Sequence, residues 1–169
     1  MPVQTTFSTT RTASREGTLD GTGSYSVEPL RNDEASAEIA FGVAVKQGSA
    51  TDERSAKLLT AITGEKVAGI VLYRDEYDTT QLGTTGILPT YEVNVVRQGR
   101  MKVICEDGCS IGDPLHVRAV AAGAELAGAC LAASDGTDTI DCSANGQWRT
   151  SAAAGEIAVL EFDFTNSPT

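Results

Sequence analysis

The chain is poor in the residues on which most catalytic and metal sites depend. Its 169 residues include one histidine, one tryptophan and only 5% aromatic residues. A single histidine excludes a histidine-rich metal site, and one tryptophan is a poor basis for an aromatic sugar-binding platform. No apolar run approaches the roughly 20 residues that a membrane-spanning helix needs. We therefore expect no membrane partner.

Basic residues are few relative to acidic ones. The chain has 13 Lys and Arg against 23 Asp and Glu, a formal net charge of −10, and the basic residues form no stripe. Such a surface repels phosphate backbones, so we expect no nucleic-acid partner. The composition, 41% hydrophobic and 21% charged, is neither disordered nor fibrous. A protein or a small ligand remains as the class of partner.

Catalytic and cofactor motifs are missing as well. Gly21-Thr22-Gly23 begins like a dinucleotide-binding loop, but Ser26 occupies the position of the third glycine. His116 has no nucleophile or titratable partner in its local sequence and is predicted as a surface strand residue. Residues 135–141 carry three Asp but lack the spacing of a calcium loop, and we predict a solvated hairpin tip. We predict no enzyme, cofactor or metal site.

Four cysteines are present, and three interpretations stay open. Cys105 and Cys109 enclose a tight turn, whereas eleven residues separate Cys130 from Cys142. The first interpretation is a zinc site: the spacing of Cys105 and Cys109 suits it, but the spacing of Cys130 and Cys142 is too long for a usual zinc-ligand pair. A disulfide between Cys130 and Cys142, or one closing the Cys105 turn, is the second interpretation, and free thiols are the third. No apolar secretory segment follows a basic start, so we expect synthesis in a reducing cytoplasm.

Large apolar residues are sparse at the beginning of the chain. Within residues 1–38 they are Met1, Val3, Phe7, Leu19, Tyr25, Val27 and Leu30. The rest is mainly Ser, Thr, Gly and acidic residues, which cannot bury enough area to offset chain ordering alone. We predict an extended N-terminal arm over residues 1–38 that lies on a surface, a mobile tail with edge strands being the alternative. Residues 39–169 form the predicted β-rich core domain.

From residue 39 the pattern indicates β structure. Short apolar or alternating segments cover residues 39–45, 67–73, 91–95, 101–105, 115–120 and 156–164. Gly, Pro, Asn or Asp separate them, which predicts an all-β compact barrel or sandwich of short antiparallel strands. The turn signal at residues 98–100 predicts a hairpin. Residues 52–62 (DERSAKLLTAI) have helical propensity behind Asp52, which predicts one short helix.

Several segments together resemble a known family. They are residues 1–7 (MPVQTTF) with 13–20 (ASREGTLD), 39–45 (IAFGVAV), 67–72 (VAGIVL), 99–103 (GRMKV) and 112–117 (GDPLHV). In this order and spacing the chain resembles the structural cement, or decoration, proteins of tailed bacteriophage heads. The cysteines and the insert near residues 131–150 depart from that pattern.

The resemblance implies a non-enzymatic virion protein on the outer capsid surface. It would bind the major capsid protein, associate with itself as a homotrimer, and clamp neighbouring capsid subunits to stabilise the shell. On this hypothesis the arm residues Val3, Phe7, Leu19, Tyr25 and Val27 contact the capsid or a neighbouring copy. The charge of −10 then predicts a basic docking patch on the capsid.

Two other classes of function remain as alternatives. The first is a carbohydrate-binding or tail-associated adhesion module, for which Trp148 would have to supply the platform. The second is a trimeric β nucleotide hydrolase, which the length and composition would suit. Residues 71–74 (VLYR) have a passing likeness to such enzymes, but no ordered set of substrate motifs follows them.

Overall fold

The computed structural model describes residues 15–21, 23–49, 52–74, 80–83, 85–123 and 125–165. Within these residues the chain forms thirteen β-strands and no helix. The strands are β1 Thr18–Leu19, β2 Ser26–Asn32, β3 Ile39–Ala40, β4 Ala44–Ser49, β5 Asp52–Lys57, β6 Gly69–Val71, β7 Gly86–Ile87, β8 Glu92–Cys105, β9 His116–Arg118, β10 Cys130–Leu131, β11 Thr139–Asp141, β12 Gly146–Trp148 and β13 Glu156–Asp163. The predicted all-β fold is confirmed. In this described part, no helix long and apolar enough to cross a membrane occurs.

Five strands close into a barrel. Their order is β8, β2, β5, β4 and β6, and β6 pairs back onto β8. Closure leaves no unpaired sheet edge in this part of the molecule. One apolar cluster fills the region, and its members are Leu30, Ile39, Val43, Val45, Ala56, Val71, Ile87, Val93 and Val95.

Strand β8 continues from the barrel into a second sheet region. Its first half pairs with β2 and β6, and its second half pairs with β1, β10 and β13. The predicted hairpin at residues 98–100 is therefore wrong. Gly99 adopts φ 147° in mid-strand, and a Cβ there would lie 2.9 Å from the Cβ of Tyr25. Glycine here permits the change of partners without reversing the chain.

The second sheet region covers a larger apolar cluster. Strand β13 pairs with β8 along all eight of its residues, from Glu156 opposite Cys105 to Asp163 opposite Gln98. Strands β9, β10 and β11 extend the sheet beyond β8. Trp148 is fully buried in this cluster, and its indole Nε1 donates a hydrogen bond to the Leu131 carbonyl at 3.3 Å. This pairing of an apolar body with a satisfied N–H suits a core tryptophan.

The predicted short helix over residues 52–62 is wrong. Strand β5 occupies Asp52–Lys57 and pairs antiparallel with β4 and parallel with β2. Ser55 and Ala56 are both fully buried, because their small side chains fit where the barrel strands pack closely. Pairing on both sides supplies hydrogen bonds and burial that an isolated helical turn would not, so tertiary contacts override local propensity.

Part of the predicted arm lies in the described structure. Residues 18–19 and 26–32 form β1 and β2, which both pair antiparallel with β8. Leu30 is buried in the barrel cluster. Residues 1–14 lie outside the described residues.

Candidate functional site

The predicted arm contacts fall into three groups. Val3 and Phe7 lie outside the described residues. Leu19 and Val27 are half-buried and pack against the apolar cluster of this same chain. Tyr25, between β1 and β2, is 58% exposed. Among the described residues of that set, Tyr25 has the most surface to offer a partner.

Tyr25 lies beside a broad concave surface that we call the Tyr25 groove. Its volume is about 880 Å³, and Ser24, Gly99, Arg100 and Glu161 are among its lining residues. The close approach of Tyr25 to Gly99 fixes this tyrosine at the position where β8 changes partners. Paired strands β8, β12 and β13 supply part of the groove lining, and loop residues such as Ser24 supply the rest.

Charged side chains in the Tyr25 groove are paired with one another. Glu161 Oε2 accepts hydrogen bonds from Arg149 Nε and Arg100 Nε, each at 2.7 Å. The bond from Arg149 is the main cause that lowers the pKa of Glu161, and Arg100 adds to it. Gln98 Nε2 donates to Asp163 Oδ2 at 3.3 Å. The surface is polar, and the guanidinium group of its lining residue Arg100 is already engaged.

A second, smaller and more apolar depression lies near the start of β1. We call it the Leu126 groove; it measures about 260 Å³ and is lined in part by Phe41, Ile104 and Leu126. Leu126 is 57% exposed and Ile104 is 39% exposed. The carboxylates of Glu16, Glu106 and Glu125 also line it. The groove thus combines an apolar floor with an acidic rim.

Arg118 forms ion pairs with two of the acidic residues that line the Leu126 groove. It is 4% exposed and lies in β9. Its Nε donates to both carboxylate oxygens of Glu106 at 3.0 Å, and its other nitrogens pair with Asp135 at 2.6 Å and Glu125 at 3.1 Å. A buried guanidinium shared by three carboxylates fixes the loops that carry them.

The four cysteines are buried thiols near the shared end of β8 and β10. Cys105 and Cys130 are register partners in these two strands. Cys105 Sγ donates to Asp107 Oδ1 and Cys109 Sγ to the Thr150 carbonyl, each at 3.4 Å. Burial raises the pKa of the thiols, that of Cys142 to about 12. The pairing of Cys130 with Cys142 stays a prediction.

No metal-binding arrangement occurs in the described part of the chain. No group of three or more His, Cys, Asp or Glu there could hold a metal ion. Within the loop predicted as a solvated hairpin tip, the Asp135 carboxylate forms an ion pair with Arg118. His116 is half-buried in β9 and stands opposite Asp141 of β11. The two grooves are therefore the candidate binding surfaces of the described residues.

Sequence comparison identifies the class of protein to which these surfaces belong. A family model described as structural cement protein (E217 gp24/Pam3 gp6) matches residues 3–163. The chain belongs to the structural cement protein family. The predicted family resemblance is confirmed, and the cement protein has a structural role associated with the phage capsid.

A solved structure agrees with this assignment at the level of the fold. A chain from "The capsid of Myoviridae Phage XM1" is similar with a TM-score of 0.69 and 18% sequence identity. The match covers 96% of the cement protein and 98% of that chain. No curated protein matches the sequence.

Sequence reasoning missed both grooves. The Leu126 groove combines residues 16, 41, 104 and 126, which are distant in sequence and come together only through strand pairing. Tyr25 is predicted from sequence because an isolated aromatic residue in a polar stretch is a visible signal, and its role as a contact stays a prediction. No comparable local pattern marks Arg118, since its three carboxylate partners come from separate segments.

Proposed function

We propose that this cement protein binds the outer surface of the phage head and clamps neighbouring major capsid subunits. The family match over residues 3–163 carries the proposal. It is supported by the closed barrel, because the barrel strand β8 continues into the second sheet region and joins the two parts. Such a body is rigid enough to resist relative movement of the subunits that it bridges.

The distribution of charge supports a basic partner surface. Core and groove cations are engaged within the chain, including Arg118 with Glu106, Arg97 with Glu28, and Lys46 with Glu65. The chain as a whole still carries a net charge of −10. Its excess of carboxylates must therefore be balanced by solvent ions or by a partner. A capsid surface rich in Lys and Arg would be complementary to it.

The proposed docking face is the Tyr25 groove with its exposed tyrosine. Tyrosine contributes a large contact area and a hydroxyl group with few rotatable bonds, which is why it recurs at protein interfaces. The arm residues Val3 and Phe7 would add apolar contacts with capsid subunits or with a neighbouring copy. Leu19 and Val27 would act indirectly, by packing the arm's base onto its own core.

A homotrimer without enzymatic activity completes the proposal. Three copies around a shared axis would let each bridge different capsid subunits, so that occupancy gains from several weak contacts at once. Sedimentation equilibrium of the free protein measures the oligomer. A nucleotide-hydrolysis assay and a glycan array test the two alternative functions, and activity in either would contradict the proposal.

Co-sedimentation with empty capsids that lack this protein tests the main claim. We expect saturable binding that Tyr25→Ser weakens, because the substitution removes the exposed ring without touching the core. Tyr91→Ser is the matched control, since Tyr91 is also exposed but directly precedes β8 and lies outside the lining of the Tyr25 groove. Absence of wild-type binding would overturn the proposed function. Equal binding by the two variants would remove Tyr25 from the docking face.

A further inference from the structure

The Leu126 groove has exposed apolar residues in its lining, and residues 1–14, which precede the lining residue Glu16 in sequence, include the apolar residues Val3 and Phe7. We propose that it receives residues 1–14 of a second copy of this chain, with Phe7 or Val3 seated on Leu126 and Ile104. The inference deepens the proposed function and rests on its arrangement of adjacent copies. The docking would link cement subunits to one another in addition to linking them to the capsid.

The base of the N-terminal segment is fixed at the rim of this groove. Arg15 Nη1 donates to the Tyr73 hydroxyl at 2.6 Å, and Gly17 pairs with Lys102 through its backbone N–H at 2.7 Å. Glu16 itself lines the groove. Residues 1–14 therefore start from a defined point, and their length determines what they can reach.

That length allows the segment to reach a neighbouring copy. Val3 lies twelve residues before Arg15, so an extended segment spans about 40 Å at about 3.3 Å per residue. A domain of this size has a radius of gyration of about 15 Å, which the segment exceeds.

The composition of the segment favours an extended backbone. Residues 8–14 (STTRTAS) contain no Gly, Pro, Asn or Asp, and their two serines, Ser8 and Ser14, form turns more weakly than those residues. They contain three threonines, whose β-branched side chains favour extended backbone. An extended segment that leaves the rim of one groove is suited to reach the groove of the next copy.

Charge complementarity supports the same pairing. Residues 1–14 contain Arg11 and no acidic residue, although the whole chain is strongly acidic. The lining of the Leu126 groove carries Glu16, Glu106 and Glu125. Arg118 is shared by Glu106, Glu125 and Asp135, so one cation faces three carboxylates and a net negative charge remains at the rim. The rest of the acidic surface would repel a second copy, whereas this one segment is attracted to this one rim.

Photocrosslinking between isotopically heavy and light copies tests the inference. Phe7 is replaced by the photoreactive residue p-benzoylphenylalanine, and equal amounts of heavy and light protein are unfolded together in urea and refolded, so that any oligomer contains both labels. The mixture is irradiated both as concentrated free protein and on pelleted, decorated capsids. We expect crosslinked peptides of mixed label that join residue 7 to the stretch containing Ile104 or Leu126. Peptides of a single label only would place the segment in its own groove and overturn the inference.

Two further substitutions, each with a control variant, make the result specific. Leu126→Glu adds a carboxylate to the acidic, apolar acceptor site and should reduce the mixed-label crosslink about ten-fold. Ile111→Glu is the matched control, because Ile111 is 70% exposed and lies outside the groove lining. Arg11→Glu should also reduce the yield, while Arg11→Lys should preserve it. Equal yields from Leu126→Glu and Ile111→Glu would contradict the assignment of the groove.

Capsid pelleting separates this inference from the proposed function. Protein that pellets with capsids but crosslinks only to the capsid protein supports the proposed function and overturns the exchange of segments. Mixed-label crosslinks in free protein that fails to pellet support the exchange and overturn the capsid role. Absence of mixed-label crosslinks from both samples overturns the inference.

Discussion

The guanidinium carbon of Arg15 lies 3.8 Å from the centroid of the Tyr73 ring. The same arginine donates a hydrogen bond to the Tyr73 hydroxyl, and Phe41 meets that ring edge-on at a centroid distance of 4.9 Å. Cation–π and hydrogen-bonding contacts thus act together on one residue. They hold the start of the described chain against the core and determine where the N-terminal segment leaves it.

Loss of the Tyr73 ring should release the base of the arm. We expect Tyr73→Ala to accelerate hydrogen exchange of the amides of residues 16–19. The substitution removes the ring that contacts Arg15, and the neighbouring backbone bond, in which the Gly17 carbonyl accepts from the Tyr73 N–H at 2.7 Å, should weaken with it. Tyr73→Phe keeps the ring and should change exchange much less. Peptide-resolved hydrogen–deuterium exchange measures this difference. Equal acceleration in the two variants would show that the ring contributes nothing to holding the arm.

The barrel was more accessible to sequence reasoning than the position of individual turns. Alternating residues in β8 and β13 predict strands because one face of each is buried, and that pattern is local. Gly99 looked like a hairpin turn because a glycine between polar neighbours has the same local signature in both settings. Only the partners on each side, β2 and β13, decide that the strand continues.

The candidate binding surfaces could not be predicted in the same way. A groove needs residues from several strands, and its depth depends on how those strands pair. Phe41 and Leu126 are 85 positions apart (126 minus 41), and nothing in either local sequence points to the other. The exposed side chain of Tyr25 was accessible because it stands alone in a polar segment.

Acid should weaken the protein partly through Glu65. Burial alone would raise the pKa of Glu65, but hydrogen bonds from Lys46, the Thr60 hydroxyl and the Thr60 and Ala61 amides lower it from 4.5 to about 2. Its stabilising contribution is therefore complete above pH 4.5 and is lost as the pH falls toward 2. Glu65→Gln should cost about 2 kcal/mol of unfolding free energy at pH 7 and much less near pH 2.

Urea unfolding at both pH values tests the role of Glu65. Glu92→Gln is the control, since Glu92 is an exposed carboxylate at the start of β8. We expect that control to change the unfolding free energy by less than about 0.5 kcal/mol at either pH. A cost for Glu65→Gln that is the same at pH 7 and pH 2 would contradict the assignment.

Removal of Arg118 should be far more damaging than removal of a surface arginine. Arg118→Met leaves Glu106, Glu125 and Asp135 close together without their shared cation, and we expect a loss of about 3 to 5 kcal/mol. Arg149→Met removes a half-exposed partner of Glu161 and should cost less than about 1 kcal/mol. Thermal and urea unfolding compare them. Similar losses in the two variants would show that the Arg118 network is not a major support.

The buried thiols should resist alkylation in the folded protein. Burial raises the pKa of Cys105, Cys130 and Cys142, so few reactive thiolates form at pH 8. We expect no labelling by iodoacetamide in native buffer and four labels after unfolding without reductant, because the structure has four thiols. Mass spectrometry counts the labels. If the unfolded sample without reductant instead lacks labels on both Cys130 and Cys142, that result would demonstrate the predicted disulfide.

Salt should weaken capsid binding if acidic residues dock on a basic surface. Screening shortens the Debye length from about 10 Å at 0.1 M salt to about 3 Å at 1 M. Many copies with a charge of −10 also repel one another on a shell, and salt relieves that repulsion. We expect the loss of attraction to dominate at low occupancy, where copies are far apart, so the apparent affinity should fall steadily with added salt.

Co-sedimentation at sub-saturating protein measures this dependence on salt, with isosmotic sucrose as the control for non-ionic effects. An affinity that stays constant or rises with salt would mean that apolar contacts such as Tyr25 dominate docking, because screening does not weaken burial of an aromatic ring.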